Sequence, residues 1–199
     1  QLIRVHHDLS DTCVFRSRTR FGKVCLTPCA LCIPKSKVNS YNSRIIRNNI
    51  SNSKFIALEL KSLGYKTDLL KVGNPYDLGV SQQIDLPARN KLNSIGFVGR
   101  ITKLKGIETI FNAASIPNPN VYFHRPQANP FDPLKDLVDC IVIASESLEA
   151  FGRVPIEAAL AGIPVISTEI GGLAESLDYI FPRPPVFPPK DPQALSTLL

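Results

Sequence analysis

Residues Asp139 to Glu175, DCIVIASESLEAFGRVPIEAALAGIPVISTEIGGLAE, decide the fold class. DCIVIAS is a short apolar run rich in β-formers. Pro155 to Ala161 reads as a short helix, with Pro155 near its first turn, where a missing N–H costs nothing, and Gly162 just past its end. Pro164 then opens PVIST, a second β-branched run. Two buried strands joined by a crossover helix predict parallel pairing and a right-handed connection. The residues able to bind something then gather in one place. Glu149, Phe151, Gly152 and Arg153 lie between strand and helix, Glu157 in the first helical turns, and Gly171 and Gly172 after the second strand. All fall at the carboxyl edge of a parallel sheet, where open α/β folds bind ligands.

Around this stretch lies a chain of 199 residues, 44% hydrophobic and 20% charged, ordinary for a globular protein with a real core. No apolar run approaches the roughly 20 residues needed to cross a bilayer. The opening QLIRVHHD lacks the basic, apolar and small-residue succession of a secretory leader. The start without Met, and an end at ALSTLL within a helical pattern, predict a fragment at both ends. The expected location is cytoplasmic, with peripheral membrane attachment as a further expectation from charge. Net charge is +6, and nine Lys or Arg but no Asp or Glu fall between Thr12 and Leu58. Such a block suits an anionic surface or an acidic substrate, or is simply a solvated basic face. It lacks the interleaved aromatics of a single-strand binder, so nucleic acid is not the expected partner.

Taken in order, IRVHHD reads as a strand ending in polar residues, and His7 is placed to hydrogen-bond a ligand or a backbone carbonyl. Cys13, Cys25, Cys29 and Cys32 follow. Their spacing allows a tetrahedral thiolate site for a metal, a pair of disulfides, or buried thiols. Cys140, inside a strand, is expected in the core. From Ile45 a regular pattern resumes as strand, helix and strand. Ser51 or Ser53 caps the helix, Phe55, Ile56, Leu58 and Leu63 form its apolar face, and Gly64 ends it. Residues from about Tyr76 to Asn93 carry the Gly, Pro, Gln, Asp and Asn of a linker. We therefore expect an amino-terminal α/β domain over 1–80, a linker over 81–93 and a second α/β domain over 94–199.

That second domain opens on SIGFVGR, a strand ending at Gly99 and Arg100. Lys105-Gly106 leads into a helix, and the chain turns at Pro117 and Pro119 before a strand at VYFH. Arg100 and Lys105 thus also fall at a carboxyl edge. If these strands join the sheet of the opening stretch, two cations and two carboxylates ring one cleft. The chemistry suits a nucleoside diphosphate. Arg100 and Lys105 neutralise the diphosphate, helped by amides near Gly152, and Glu157 accepts the ribose hydroxyls.

At this point the chain resembles the retaining, family-4-type glycosyltransferases, which have the two-domain GT-B fold. GFVGRITKLKGIETIFNAA is similar to the family's strand, Gly-Arg loop and Lys-Gly helix opening. EAFGRVPIEAALAGIPVIST resembles its E-x7-E motif, with Glu149 and Glu157 separated by seven residues. GGLAE resembles the Gly-Gly-x-x-Glu segment that follows. VHHDLSDTC, with the later cysteines, is similar to a histidine- and cysteine-rich region of some members.

The resemblance implies an α/β, GT-B-like chain of two Rossmann-like parallel-sheet domains, the first incomplete. It implies transfer of a sugar from a nucleoside-diphosphate sugar to a glycan or lipid-linked acceptor with retained configuration. Donor contacts would come from Gly99, Arg100, Lys105, Glu149, Phe151, Gly152, Arg153, Glu157, Gly171 and Gly172. Among them Arg100 and Lys105 would hold the diphosphate, Glu149 the hydroxyls of the sugar and Glu157 the ribose, with His7 near the reacting sugar. The leaving phosphate would help take the acceptor's proton, so no protein nucleophile is called for. No Asp-x-Asp pair occurs in the chain. The expectation is therefore that no metal or other cofactor is required, the two cations standing in for a divalent ion. Against the family pattern, the first half of the amino-terminal domain and a helix and strand between His124 and Leu134 are missing. The alternative is a non-catalytic relative that kept the donor cleft as a nucleotide-sugar-binding module.

Overall fold

The computed structural model describes residues 3–6, 8, 19–20, 23–25, 29–45, 48–65, 67–69, 92–115, 119–124 and 131–199. By its internal contacts the chain divides into two compact units. One comprises Gln1–Asp77 with Ser147–Phe151 and Gly171–Glu175, and the other Leu78–Glu146, Gly152–Ile170 and Ser176–Leu199. The expected linker over 81–93, except its last two residues, lies outside the described residues.

The first unit holds β1 (Ile3–His6), a two-residue antiparallel ladder of β2 (Thr19–Arg20) and β3 (Lys23–Val24), helix α1 (Cys32–Ile45), β4 (Asn48–Ser51), α2 (Lys54–Ser62) and β5 (Thr67–Leu69). β1, β4 and β5 form a parallel sheet in that order, with His6 opposite Ser51 and Ser51 opposite Leu69. The strand–helix–strand expected after Ile45 is present. Regular structure starts earlier than the sequence suggested, because α1 precedes it. CIPKSKVNSYNSRI carries almost no apolar periodicity, which is why pattern reasoning passes over it.

α2 shows the opposite case. Ser53, in extended conformation, accepts a hydrogen bond at Oγ from the amide of Ile56 at 3.1 Å, filling one orphan donor of the first turn. Ile56, Ala57 and Leu60 are buried. Ile56 and Leu60 pack with Tyr65 against Phe55, Leu63, Leu148 and Ala150, each large side chain contributing roughly 1.5–3 kcal/mol by leaving water. Leu58, expected on that face, is exposed.

The second unit is built on one parallel sheet. Its elements are β6 (Ser94–Val98), a 3-10 turn (Lys103–Lys105), α3 (Ile107–Ala114), β7 (Asn120–His124), β8 (Cys140–Ile143), α4 (Val154–Leu160), β9 (Val165–Thr168), α5 (Leu173–Leu177), β10 (Val186–Phe187) and α6 (Pro192–Leu198). Every ladder in it is parallel, and the strand order is β10-β9-β8-β6-β7. The opening stretch is thus the predicted βαβ unit, β8-α4-β9, and SIGFVGR to VYFH is the second, β6-α3-β7. All eight residues of β8 and β9 are buried, as befits strands covered on both faces. Ile95, Ile110, Ala113, Cys140, Ile166 and Leu195 share one core, each without exposed surface. Asp139 pins the start of this sheet, its Oδ2 accepting from the amides of Asn93 at 2.8 Å and Ser94 at 3.0 Å.

Cys140 lies in that core as expected. Burial first, and the neighbouring charge of Asp139 second, push its thiol up from 9.0 to about 12. A folded-state value above the unfolded one means the native chain holds the proton longer. Its stabilising contribution is complete below pH 9 and is lost as pH rises towards 12. Urea midpoints should therefore fall between pH 8 and pH 10 in the wild type, and Cys140→Ala, though less stable throughout, should lose part of that alkaline slope. An unchanged slope would remove Cys140 as its source.

Candidate functional site

Strand order selects one edge of the second unit. Counting β6 as first, the order is 2-1-3-4-5, and chain direction switches sides between β6 and β8. Open α/β sheets leave a crevice at that point, outside the carboxyl ends of the two strands. The residues that follow β6 are Gly99 and Arg100, and those that follow β8 are Ala144, Ser145 and Glu146.

These two exits are locked together at Gly106. Its φ of 71° places it in the left-handed region, and a Cβ there would stand 1.8 Å from the carbonyl oxygen of Ala144. Only a residue without a side chain lets the two backbones approach so closely. The amide of Glu146 donates to the carbonyl of Leu104 at 2.9 Å. Thr109 Oγ1, on α3, donates to Glu146 Oε1 at 2.8 Å. Glu146 is buried, and a buried carboxylate is costly without such partners. Sequence reading missed it. Its signal was a lone charge directly after an apolar strand, indistinguishable there from any loop glutamate.

The 3-10 turn and Gly106 thus hold a cation-bearing loop at the switch point. Arg100 is exposed, and among the described residues no ion pair engages its guanidinium. Lys105 is half-buried, its amide donating to Thr102 O at 3.0 Å. Lys103, exposed, pairs with Glu108 at 3.1 Å. α4 starts from the same edge, since it leaves the carboxyl end of β8. Gly152 precedes it, Arg153 is exposed, and Glu157 is half-buried in the first turn. Arg153 Nη1 stands 3.7 Å from Glu157 Oε1, a loose surface pair worth little. Gly99, Arg100, Lys105, Gly152, Arg153 and Glu157 therefore leave one edge of one sheet, a condition the sequence left open because it did not say whether the two βαβ units share a sheet.

The remaining expected donor contacts lie in the first unit. Glu149 pairs with Gly171 in an isolated parallel bridge, and the amide of Gly172 donates to Glu149 O at 2.7 Å. A Cβ on Gly172 would meet Ala150 O at 2.2 Å, so the segments after β8 and β9 lie backbone against backbone. Glu149 is half-exposed, and Phe151 is buried. The same unit ties these segments to α2. Ser53 Oγ donates to Ala150 O at 2.6 Å, and Glu175 Oε2 accepts from the amides of Lys54 at 2.7 Å and Phe55 at 3.4 Å. Glu175 so acts as a second cap on α2, a role no local pattern signals.

His7 lies outside the described residues, as does Cys13. The neighbouring His6 is buried at the end of β1, with Nε2 3.2 Å from Asn49 Oδ1 and its ring edge-on to Tyr65. Cys25 and Cys29 are half-buried and Cys32 buried. Among the described residues no three His, Cys, Asp or Glu side chains gather where they could hold a metal ion. Nor, among them, is any helix long and apolar enough to cross a membrane.

Residues 117–199 match the family model of glycosyl transferases group 1. A protein of Klebsiella pneumoniae described as an uncharacterized 42.6 kDa protein in the cps region is 30% identical over 121 residues, covering 50% of this chain and 32% of that protein. Among solved structures, HepE of Anabaena in complex with UDP and glucose superposes with a TM-score of 0.66 at 17% identity, covering 98% of this chain and 60% of its own. The lipopolysaccharide outer core galactosyltransferase WaaB, in its apo form, does so with a TM-score of 0.55 at 17% identity over 75% of this chain and 51% of its own. TarM matches at 14% identity with a TM-score of 0.59 over 96% of this chain and 41% of its own. The chain spans about a third of that curated relative and at most 60% of these structures. The match to the glycosyl transferases group 1 model is thus confined to residues 117–199, and the fold is α/β and GT-B-like.

Proposed function

We propose that this chain acts as a glycosyltransferase, which moves a sugar from a nucleoside-diphosphate sugar to an acceptor with retention of configuration. The observation that carries the proposal is the loop bearing Arg100 and Lys105, fixed by the fit of Gly106 against Ala144 at the switch point of the sheet. A loop held this way presents charge without first having to be ordered, which is where binding energy is otherwise lost.

Each residue then has a role. Arg100 and Lys105 neutralise the diphosphate in the ground state and, more strongly, as it departs. Stabilisation of the leaving group would be the main catalytic effect. Glu157 accepts hydrogen bonds from the ribose hydroxyls, Glu149 from the transferred sugar, and His7 lies near the reacting carbon. Gly99, Phe151, Gly152, Arg153, Gly171 and Gly172 complete the donor contacts. The acceptor hydroxyl attacks on the face the diphosphate leaves, and the departing phosphate oxygen takes its proton. No divalent metal enters this scheme, because the two cations carry its charge. The donor domain is assigned to 94–199, the linker to 81–93 and the partial acceptor-side domain to 1–80. UDP is the first nucleotide to test, since HepE was crystallised with it. A glycan or lipid-linked acceptor at an anionic membrane face, on the cytoplasmic side, suits the basic block before Leu58.

Calorimetry with UDP and other nucleoside diphosphates, with and without chelator, tests the site. Glu157→Ala should weaken binding more than tenfold, about 1.4 kcal/mol, while leaving inorganic diphosphate binding unchanged. Equal affinity in wild type and variant would remove Glu157 from the ribose site. Tight binding with no turnover of any donor sugar would turn the reading into a non-catalytic nucleotide-sugar-binding module.

A further inference from the structure

We propose that Cys29 and Cys32 are a redox-active dithiol that closes to a disulfide by exchange with small-molecule disulfides such as oxidised glutathione. The inference stands independently of the proposed sugar transfer.

Its basis is the start of α1. The amides of Cys32 and Ile33 donate to Cys29 O at 2.8 and 3.0 Å, so Cys29 is the residue from which the helix springs. Positions three apart on such a turn share a face, and the two Sγ atoms are already in contact at 3.5 Å. A disulfide needs about 2.05 Å between them, a closure within reach of side-chain rotation. The thiols differ in access. Cys29 is half-buried, and Cys32 is 3% exposed.

Charge favours the same assignment. α1 is 14 residues long, has no acidic residue in its first turn, and carries Lys35 and Lys37 just beyond. A sulfur at its start sees the positive end of the helix dipole, the surroundings in which a thiolate becomes a nucleophile. Cys140, by contrast, sits without exposed surface in the core of the other unit and plays no part.

The step balances as follows. The Cys29 thiolate attacks one sulfur of glutathione disulfide, breaks its S–S bond and expels one glutathione thiolate. The Cys32 thiolate then attacks Cys29 Sγ in the mixed disulfide and expels the second. Two protein thiols lose two electrons, glutathione disulfide gains them, and both protons end on the two glutathione thiols.

The test uses the whole chain, treated with graded ratios of oxidised to reduced glutathione, then alkylated and mapped by mass spectrometry. The expected result is a single Cys29–Cys32 link, reversed by dithiothreitol, present in Cys25→Ala and absent in both Cys29→Ser and Cys32→Ala. Circular dichroism checks that each variant is folded. Should Cys32→Ala unfold, a stable glutathione adduct on Cys29 of a Cys32→Val variant would serve in its place. Linkage through Cys25 or Cys13, or no oxidation at all, overturns the proposal. So does stoichiometric zinc, released by chelator, that blocks oxidation.

Discussion

Gly106→Ala should be among the most damaging single-methyl changes in the chain. The added Cβ would lie 1.8 Å from Ala144 O and 2.7 Å from both its carbonyl carbon and Cβ. Those first two atoms are backbone of a buried strand exit, with no rotamer to move. The left-handed conformation adds its own cost for any residue with a side chain. Together these should destabilise the second unit by at least about 3 kcal/mol. Gly162→Ala is the matched control. Its φ is 78°, almost the same, but nothing lies within 4 Å of the added atom. Only the conformational cost remains there, roughly 1 kcal/mol. Urea melts of the two variants should differ clearly. Equal losses would mean that the approach of Gly106 to Ala144 does not require a residue without a side chain.

What could be read in advance follows from how local each cause is. β8, α4 and β9 were legible because buried parallel strands are nearly all apolar, and because Pro155, Gly162 and Pro164 punctuate them. α2 was legible through Ser53 and its apolar face. α1 was not, since its amphipathic signal is weak. Strand order was not either, because a crossover predicts parallel pairing and handedness but not which strand lands beside which. For the site, Arg100, Lys105 and Glu157 could each be placed at the carboxyl end of a strand, but not at one common edge, because that depends on β6 and β8 being neighbours. Glu146 with Thr109, and Glu175 with the amides of Lys54 and Phe55, are pairs 37, 121 and 120 residues apart. No pattern within either segment announces its partner. Nor does the sequence reveal that 147–151 and 171–175 belong with the first unit, since the partners of Leu148, Ala150 and Glu175 there lie on α2, roughly a hundred residues away.

The switch-point loop should also dominate nucleotide affinity. Replacing both Arg100 and Lys105 with alanine is expected to weaken UDP binding about a hundredfold, near 2.8 kcal/mol, each side chain accounting for roughly tenfold. A guanidinium such as that of Arg100 offers a planar fork matched to two phosphate oxygens, whereas Lys105 offers a point charge. Arg100→Lys should therefore recover only part of the loss, while Lys105→Arg, at a half-buried position, must find room for a larger head. Because the interaction is with charge, the wild-type affinity should fall with added salt, and the double variant should show a flatter dependence. UMP tells the two ends of the ligand apart. It lacks the β-phosphate, so the double variant should lose less affinity for UMP than for UDP, whereas Glu157→Ala should weaken both alike. Equal losses for UMP and UDP in the double variant would place the cations elsewhere than on the diphosphate, and the catalytic role assigned to them would go with it.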